Sequence, residues 1–176
     1  MSNIQFNEVQ GFRLRWVWAG VIALNLLFIY AIVQQVFLGK PFGPKPAADM
    51  VLVLMEGVPL ILFFFLRSIR LKTCMDDSGI HYRFTPFQFK TIHIEWHELS
   101  DAYMREYNSF YEFGGWGIRR GSAKSGTAIN TSASGKRGLQ LRFGNGKLLL
   151  IGTKKPAEME KIINQIMAEG RINRRI

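Results

Sequence analysis

The chain carries three histidines and a single cysteine, so metal and thiol chemistry have few places to occur. His93 and His97 stand four apart in "HIEWHE", with Glu95 and Glu98 beside them, a spacing that on a helix turns two imidazoles toward one ion. The surrounding apolar and polar residues alternate, however, as in a strand. Four strand residues span about 13 Å, while a zinc ion is held by bonds of about 2 Å, so no metal is expected. Ser100 and Asp101 with either histidine form no nucleophile motif. Cys74 reads as a small apolar or idle thiol, although a cysteine beside an apolar run is also where reversible palmitoylation occurs.

A second stretch that suggests chemistry is "FGGWGIRRGSAKSG", residues 113–126. Its glycines match neither G-x-x-x-x-G-K-[ST] nor G-x-G-x-x-G, and no amphipathic helix follows to aim its N-terminus at a phosphate. Nucleotide binding is therefore not expected. Gly114, Gly115 and Gly117 are suited to a bend, bulge or close backbone approach, with Trp116 packed or at a membrane interface. Arg119, Arg120, Lys124, Lys136 and Arg137 follow with no acidic residue among them. This is the candidate basic binding face, for acidic headgroups or an acidic protein surface; the plain alternative is a solvated, flexible loop.

The elements that would position these residues begin with two apolar runs. Residues 16–37, "WVWAGVIALNLLFIYAIVQQVF", carry no charge and match the roughly 20 residues that cross a hydrocarbon core. Residues 50–66, "MVLVLMEGVPLILFFFL", are shorter and contain Glu56 and Pro59. The first run exceeds a signal peptide's apolar region, and no small-residue cleavage site follows it. A transmembrane hairpin over 16–69 is expected, after a cytoplasmic segment 1–15. Arg13, Arg15, Arg67, Arg70 and Lys72 flank the outer ends, against Lys40 and Lys45 in the connection, which places both termini in the cytoplasm of a multi-pass inner-membrane protein. A lone cysteine fits that compartment.

Asn25 and Glu56 lie inside the runs, where a carboxylate costs several kcal/mol unless paired or protonated. At about 1.5 Å of rise per residue they sit roughly 14 and 15 Å from the inner ends, so an Asn25 to Glu56 hydrogen bond is expected to hold the hairpin together.

After Lys72 the period becomes two. "GIHYRF" directs Ile80, Tyr82 and Phe84 to one face; "TIHIEW" directs Ile92, Ile94 and Trp96; "GLQLRF" directs Leu139, Leu141 and Phe143. "GNGK" then supplies a hairpin turn into "LLLIG". A run of antiparallel hairpins is expected. The chain closes on a helix over 156–169 with Pro156 in its first turn, Gly170 at its stop, and Met159, Ile162, Ile163, Ile166 and Met167 in one stripe. The basic tail 170–176 is expected to be disordered or at a lipid surface.

The order of a hairpin followed by "DDSGIHY", "IEWHELSDAY", "GGWGIR", "GLQLRFGNGKLLLIGTKKP" and a closing helix resembles membrane-anchored bacterial pleckstrin-homology-like proteins over about residues 70–169. The resemblance implies an α+β architecture, a split antiparallel β-barrel closed by the C-terminal helix, and a binding or assembly role without catalytic residues. No cofactor is expected.

The net charge of +10 is spread over both parts, with sixteen Lys and Arg against ten Asp and Glu after Lys72. For a tethered domain the nearest negative partner is anionic lipid or an acidic protein, rather than nucleic acid. An oligomer is compatible with these features. Two functions follow: a non-catalytic binding or scaffold module held at the inner leaflet, or an accessory subunit of a membrane complex or transporter in which the hairpin makes the main contacts.

Overall fold

The structure is a computed structural model that describes residues 6–122, 124–131 and 134–172. The chain forms two compact units, Arg13–Ser68 and the union of Met1–Phe12 with Ile69–Ile176.

The first unit is a helical hairpin. Helix α1 (Arg15–Ile32) runs into a π-helical turn (Val33–Phe37), and α2 (Asp49–Ser68) returns. Trp18, Val21, Asn25, Phe28 and Ala31 on α1, and Leu52, Glu56, Pro59, Phe63 and Leu66 on α2, are among the less exposed positions and are spaced by three and four as in a helix seam. Trp18 meets Phe63 edge-on at 5.4 Å. Gln35 closes the connection: its amide donates to the Ala47 carbonyl (2.6 Å) and Asp49 (2.7 Å), and its oxygen accepts from the Phe42 N–H. Both helices are long and apolar enough to cross a bilayer. Most of their remaining side chains, among them Leu26, Leu27, Leu54, Val58 and Ile61, are exposed.

The second unit is α+β and contains two sheets. The first has the order β1–β2–β3–β4, from β1 (Phe6–Gly11), β2 (Arg70–Met75), β3 (Gly79–Thr85) and β4 (Ile92–Glu95). All its pairs are antiparallel. Strands β1 and β2 are partners from Phe6↔Met75 to Gly11↔Arg70, so the 56-residue hairpin unit is inserted between two neighbouring strands. The second sheet has the order β5–β8–β9–β7–β6, from β5 (Leu99–Glu106), β6 (Gly117–Arg120), β7 (Thr127–Asn130), β8 (Arg137–Phe143) and β9 (Leu148–Gly152). A short α3 (Ser109–Phe113) precedes β6, and α4 (Pro156–Ala168) packs on β1, β5 and β8.

Among the described residues the strands form two hydrogen-bonded sheets, with β1 and β4 at the edges of one and β5 and β6 at the edges of the other, and no closed barrel. One expectation is corrected. The meander is interrupted, because β7 pairs with β9 in parallel (Thr127↔Leu149 to Ile129↔Ile151), with the β6–β7 hairpin folded onto the far side of β9.

The core lies between the sheets and under α4. Ile80, Tyr82 and Phe84, Ile94 and Trp96, Leu139 and Leu141, and Met159, Ile162, Ile163 and Ile166 are buried as their periods require. Phe143 and Met167 are partly buried against this core, and Ile92 is 37% exposed, since β4 begins there at a sheet edge. The tail is also corrected within its described part: Arg171 pairs with Asp77 (3.2 Å) and Glu169 (2.7 Å), and Ile172 is buried. Residues 173–176 lie outside the described residues.

A buried polar network ties β1 to the second sheet. The Gln10 amide donates to the Gly152 carbonyl (2.7 Å), and its oxygen accepts from Ser134 (2.5 Å) and Thr131 (3.3 Å). Glu8 accepts from the Thr153 hydroxyl (2.6 Å) and the Lys154 N–H (2.9 Å).

Candidate functional site

A cleft of about 860 Å³ opens in the β-rich unit. Tyr82 on β3 and Gln88 in the β3–β4 loop form one wall. The other is made by the β6–β7 hairpin and the β8–β9 turn. Gln88 is fixed in place: its side-chain oxygen accepts from the Phe84 N–H (3.0 Å), and its own N–H donates to the Phe84 carbonyl (2.8 Å). The hairpin is held close to β9 by Gly126, at φ +73°, where a Cβ would fall 2.3 Å from the Leu148 carbonyl oxygen. Only glycine meets both the dihedral and the approach.

The lining joins an apolar floor (Ile118, Ile129, Phe143, Leu149) to two cations, Arg120 and Lys147, with the hydroxyls of Ser122 and Thr127 between them. Burial pushes the Tyr82 phenol up, against a lowering hydrogen bond from Gln88, so it stays a neutral hydroxyl at physiological pH. Among the described lining residues there is no carboxylate, imidazole or thiol. Such a cleft can bind an anion with apolar substance; it offers no general base.

The five expected basic residues do not form one face. Arg119 and Arg120 are consecutive on β6 and point to opposite sides, and Arg119 Nε donates to the Trp116 carbonyl (3.1 Å). Arg120 alone of the five lines the cleft, and Lys124 sits in the β6–β7 turn. Lys136 and Arg137 lie at the opposite end of the sheet, at the start of β8, with Arg137 paired to Glu160 on α4 (3.3 Å). Lys147 takes their place at the cleft. Its position in "GNGK" signals only a turn, and the parallel β7–β9 pairing that brings it near Arg120 leaves no local trace in the sequence. Gly114, Gly115 and Gly117 have φ of 70, 125 and 107°, and thereby turn the chain from α3 into β6 around Trp116.

Asn25 and Glu56 both lie on the helix seam, but the expected hydrogen bond between them is not formed. The Asn25 amide donates to the Val21 carbonyl of its own helix (2.7 Å), the local i−4 bond that short polar side chains make. Glu56 Oε2 is buried with no hydrogen-bond partner among the described residues.

A second polar cluster, overlooked by spacing arguments, forms on the outer face of the first sheet. Register sets Cys74, His81 and His93 side by side on β2, β3 and β4. The two imidazoles stack at 4.2 Å. Asp76 Oδ2 and Ser78 Oγ meet the same ring nitrogen, His81 Nε2, at 3.1 and 3.3 Å. A hydrolytic relay needs carboxylate and hydroxyl on opposite ring nitrogens, so this is not one. Burial first, then the Asp76 charge, pushes the Cys74 thiol up, against Lys72, which leaves it a poor nucleophile. No group of three or more His, Cys, Asp or Glu among the described residues is arranged to hold a metal. His97 pairs instead with Glu95 (3.0 Å).

Burial acts to raise the Asp76 carboxyl, but hydrogen bonds from the Ser78 side chain and N–H and from His81 outweigh it and hold the group at about 2. Because the folded value lies below the ordinary one, the associated stability is present above about pH 4 and lost as pH falls through about 2. Asp76→Asn is expected to flatten the acid slope of the denaturation midpoint between those values, measured on the full chain in detergent.

No family model, curated protein or solved structure matches the chain.

Proposed function

We propose that this is an integral inner-membrane protein that presents a non-catalytic binding domain of pleckstrin-homology-like type at the cytoplasmic leaflet. The observation that carries the proposal is the insertion of the helical hairpin between paired strands. Gly11 and Arg70 are register partners, so the chain leaves for α1 and returns from α2 at one place. Two spans that start and end together cross a bilayer out and back, and the apolar flanks of α1 and α2 are suited to lipid. Two sheets capped by α4 are compatible with the split-barrel architecture that the sequence resembles. The cleft with Arg120 and Lys147 supports recognition of an anionic partner, and the absence of a base among its described residues supports binding rather than turnover.

A second reading is favoured by Glu56. A buried carboxylate oxygen without a donor is costly, and a neighbouring membrane helix of a larger complex would supply one. The protein would then be an accessory subunit held through its hairpin.

The membrane assignment is tested by alkaline carbonate extraction of cells expressing the full chain. Retention in the membrane pellet is expected; release with peripheral proteins would end the proposal.

A further inference from the structure

We infer that two exposed aromatic loops, 86–90 and 110–116, are interfacial feet that insert into the headgroup region of the leaflet from which the hairpin emerges. The inference rests on the membrane reading above.

Four large rings stand out on the β-rich unit: Phe87 (56% exposed), Phe89 (84%), Phe110 (58%) and Tyr111 (92%). Aromatic side chains of this size left this exposed are costly in water, and an interfacial position suits them. Their positions in the fold are not random. Loop 86–90 follows Thr85, the register partner of Arg70, and Arg70 is two residues past Ser68, the last residue of α2. The other loop is tied to the opposite end of the insertion. Phe110 packs edge-on against Trp116 at 4.7 Å, and Trp116 packs against Phe12 at 6.5 Å, three residues before α1 begins at Arg15. Each loop is thus anchored beside one of the two points where the chain departs for the apolar helices.

The loops are presented rigidly, which lowers the entropic cost of insertion. Asn108 accepts from the Phe110 and Tyr111 N–H groups at the start of α3, Glu112 accepts from the Asn108 N–H, and Gly114 in the left-handed region ends the helix. In the other loop, Phe87 stacks on Phe84 at 5.4 Å and Gln88 is bonded to Phe84 in both directions. The charges nearby match an anionic leaflet. Arg70, Arg83 and Lys90 accompany the first loop, and Arg119, bonded to the Trp116 carbonyl, the second.

The test uses the full chain with Cys74→Ser, reconstituted in phosphatidylcholine–phosphatidylglycerol vesicles, with single cysteines carrying an environment-sensitive fluorophore. Phe89→Cys and Tyr111→Cys report the feet, and Leu27→Cys reports the span. Gln165→Cys is the aqueous control, since α4 ends near Arg171, which is paired to Asp77 at the far end of β2, roughly 20 Å of strand from Arg70. Labels at Phe89 and Tyr111 are expected to be blue-shifted and quenched by shallow spin-labelled lipid several-fold more than the label at Gln165. Quenching at Leu27 with water-like emission at Phe89 and Tyr111 would overturn the feet and leave the membrane reading intact. Blue-shifted but unquenched labels at Phe89 and Tyr111 would mean that protein, such as a second copy of the chain, covers the loops, and would also overturn the inference. No quenching at Leu27 by deep spin-labelled lipid would remove the membrane reading and the inference together.

Discussion

Replacing Arg13–Ser68 by Asn-Gly is expected to yield a folded, water-soluble domain, whereas the contiguous fragment that begins at Ile69 is expected not to fold. Continued by one step beyond Gly11↔Arg70, the β1–β2 register would set Phe12 opposite Ile69, and a two-residue Asn-Gly turn is the preferred closure of such a pair. The contiguous fragment loses β1 altogether. Phe6, 1% exposed, would leave the core at a cost of about 2 kcal/mol or more. Loss of Glu8 and Gln10 would strip partners from the Gly152 carbonyl, Ser134, Thr153 and the Lys154 N–H. Each buried group left unsatisfied costs about 1–3 kcal/mol, and a domain's whole margin is about 5–15 kcal/mol. A cooperative thermal transition and dispersed amide spectrum for the closed version, with neither for the fragment, is the expected outcome. Equal stability of the two would show that β1 is dispensable.

The second large effect is expected at Gln10. Its side chain is fully buried and bridges two sheets, with a donor to Gly152 and an acceptor for Ser134 and Thr131. Gln10→Ala removes both halves of the amide: the Gly152 carbonyl loses the Gln10 donor, and the Ser134 and Thr131 hydroxyls, which keep their mutual contact at 3.2 Å, lose the acceptor they share. The expected loss is about 3 kcal/mol, or roughly 10 °C in melting temperature for a domain of this size. Thermal melts of the closed domain with and without the substitution give the answer. A surface role for Gln10 would predict a shift within about 0.5 kcal/mol.

Gln10 also explains why β1 is invisible to pattern reading. In "FNEVQG" the inward positions are Phe6, Glu8 and Gln10, while Val9 is 54% exposed. Polarity is inverted relative to a half-buried strand because the strand's inner face meets the ends of β9 and the β7–β8 loop, whose backbone and hydroxyl groups require polar partners. Where the inner face meets apolar core, as for β3, β8 and α4, the period was legible; β9 was placed by the Asn-Gly turn before it. The two apolar helices were legible by length. Strands β6 and β7, four residues each amid glycine and serine, have too few positions to show a period. The basic face was misjudged for a related reason: composition counts Arg119 and Arg120 together, whereas a pleated strand separates them. Helical rise set Asn25 and Glu56 at one depth, but rise does not determine where a side chain finds its hydrogen bond.

The most direct measurement is a topology map with reporters fused at three places: before Met1, within the connection between α1 and α2 at Pro44, and after Ile176. The paired ends of the insertion and the flanking basic residues predict both terminal reporters in the cytoplasm and the Pro44 reporter outside. Termini on opposite sides, or a Pro44 reporter that stays in the cytoplasm, would contradict a two-span hairpin set between β1 and β2.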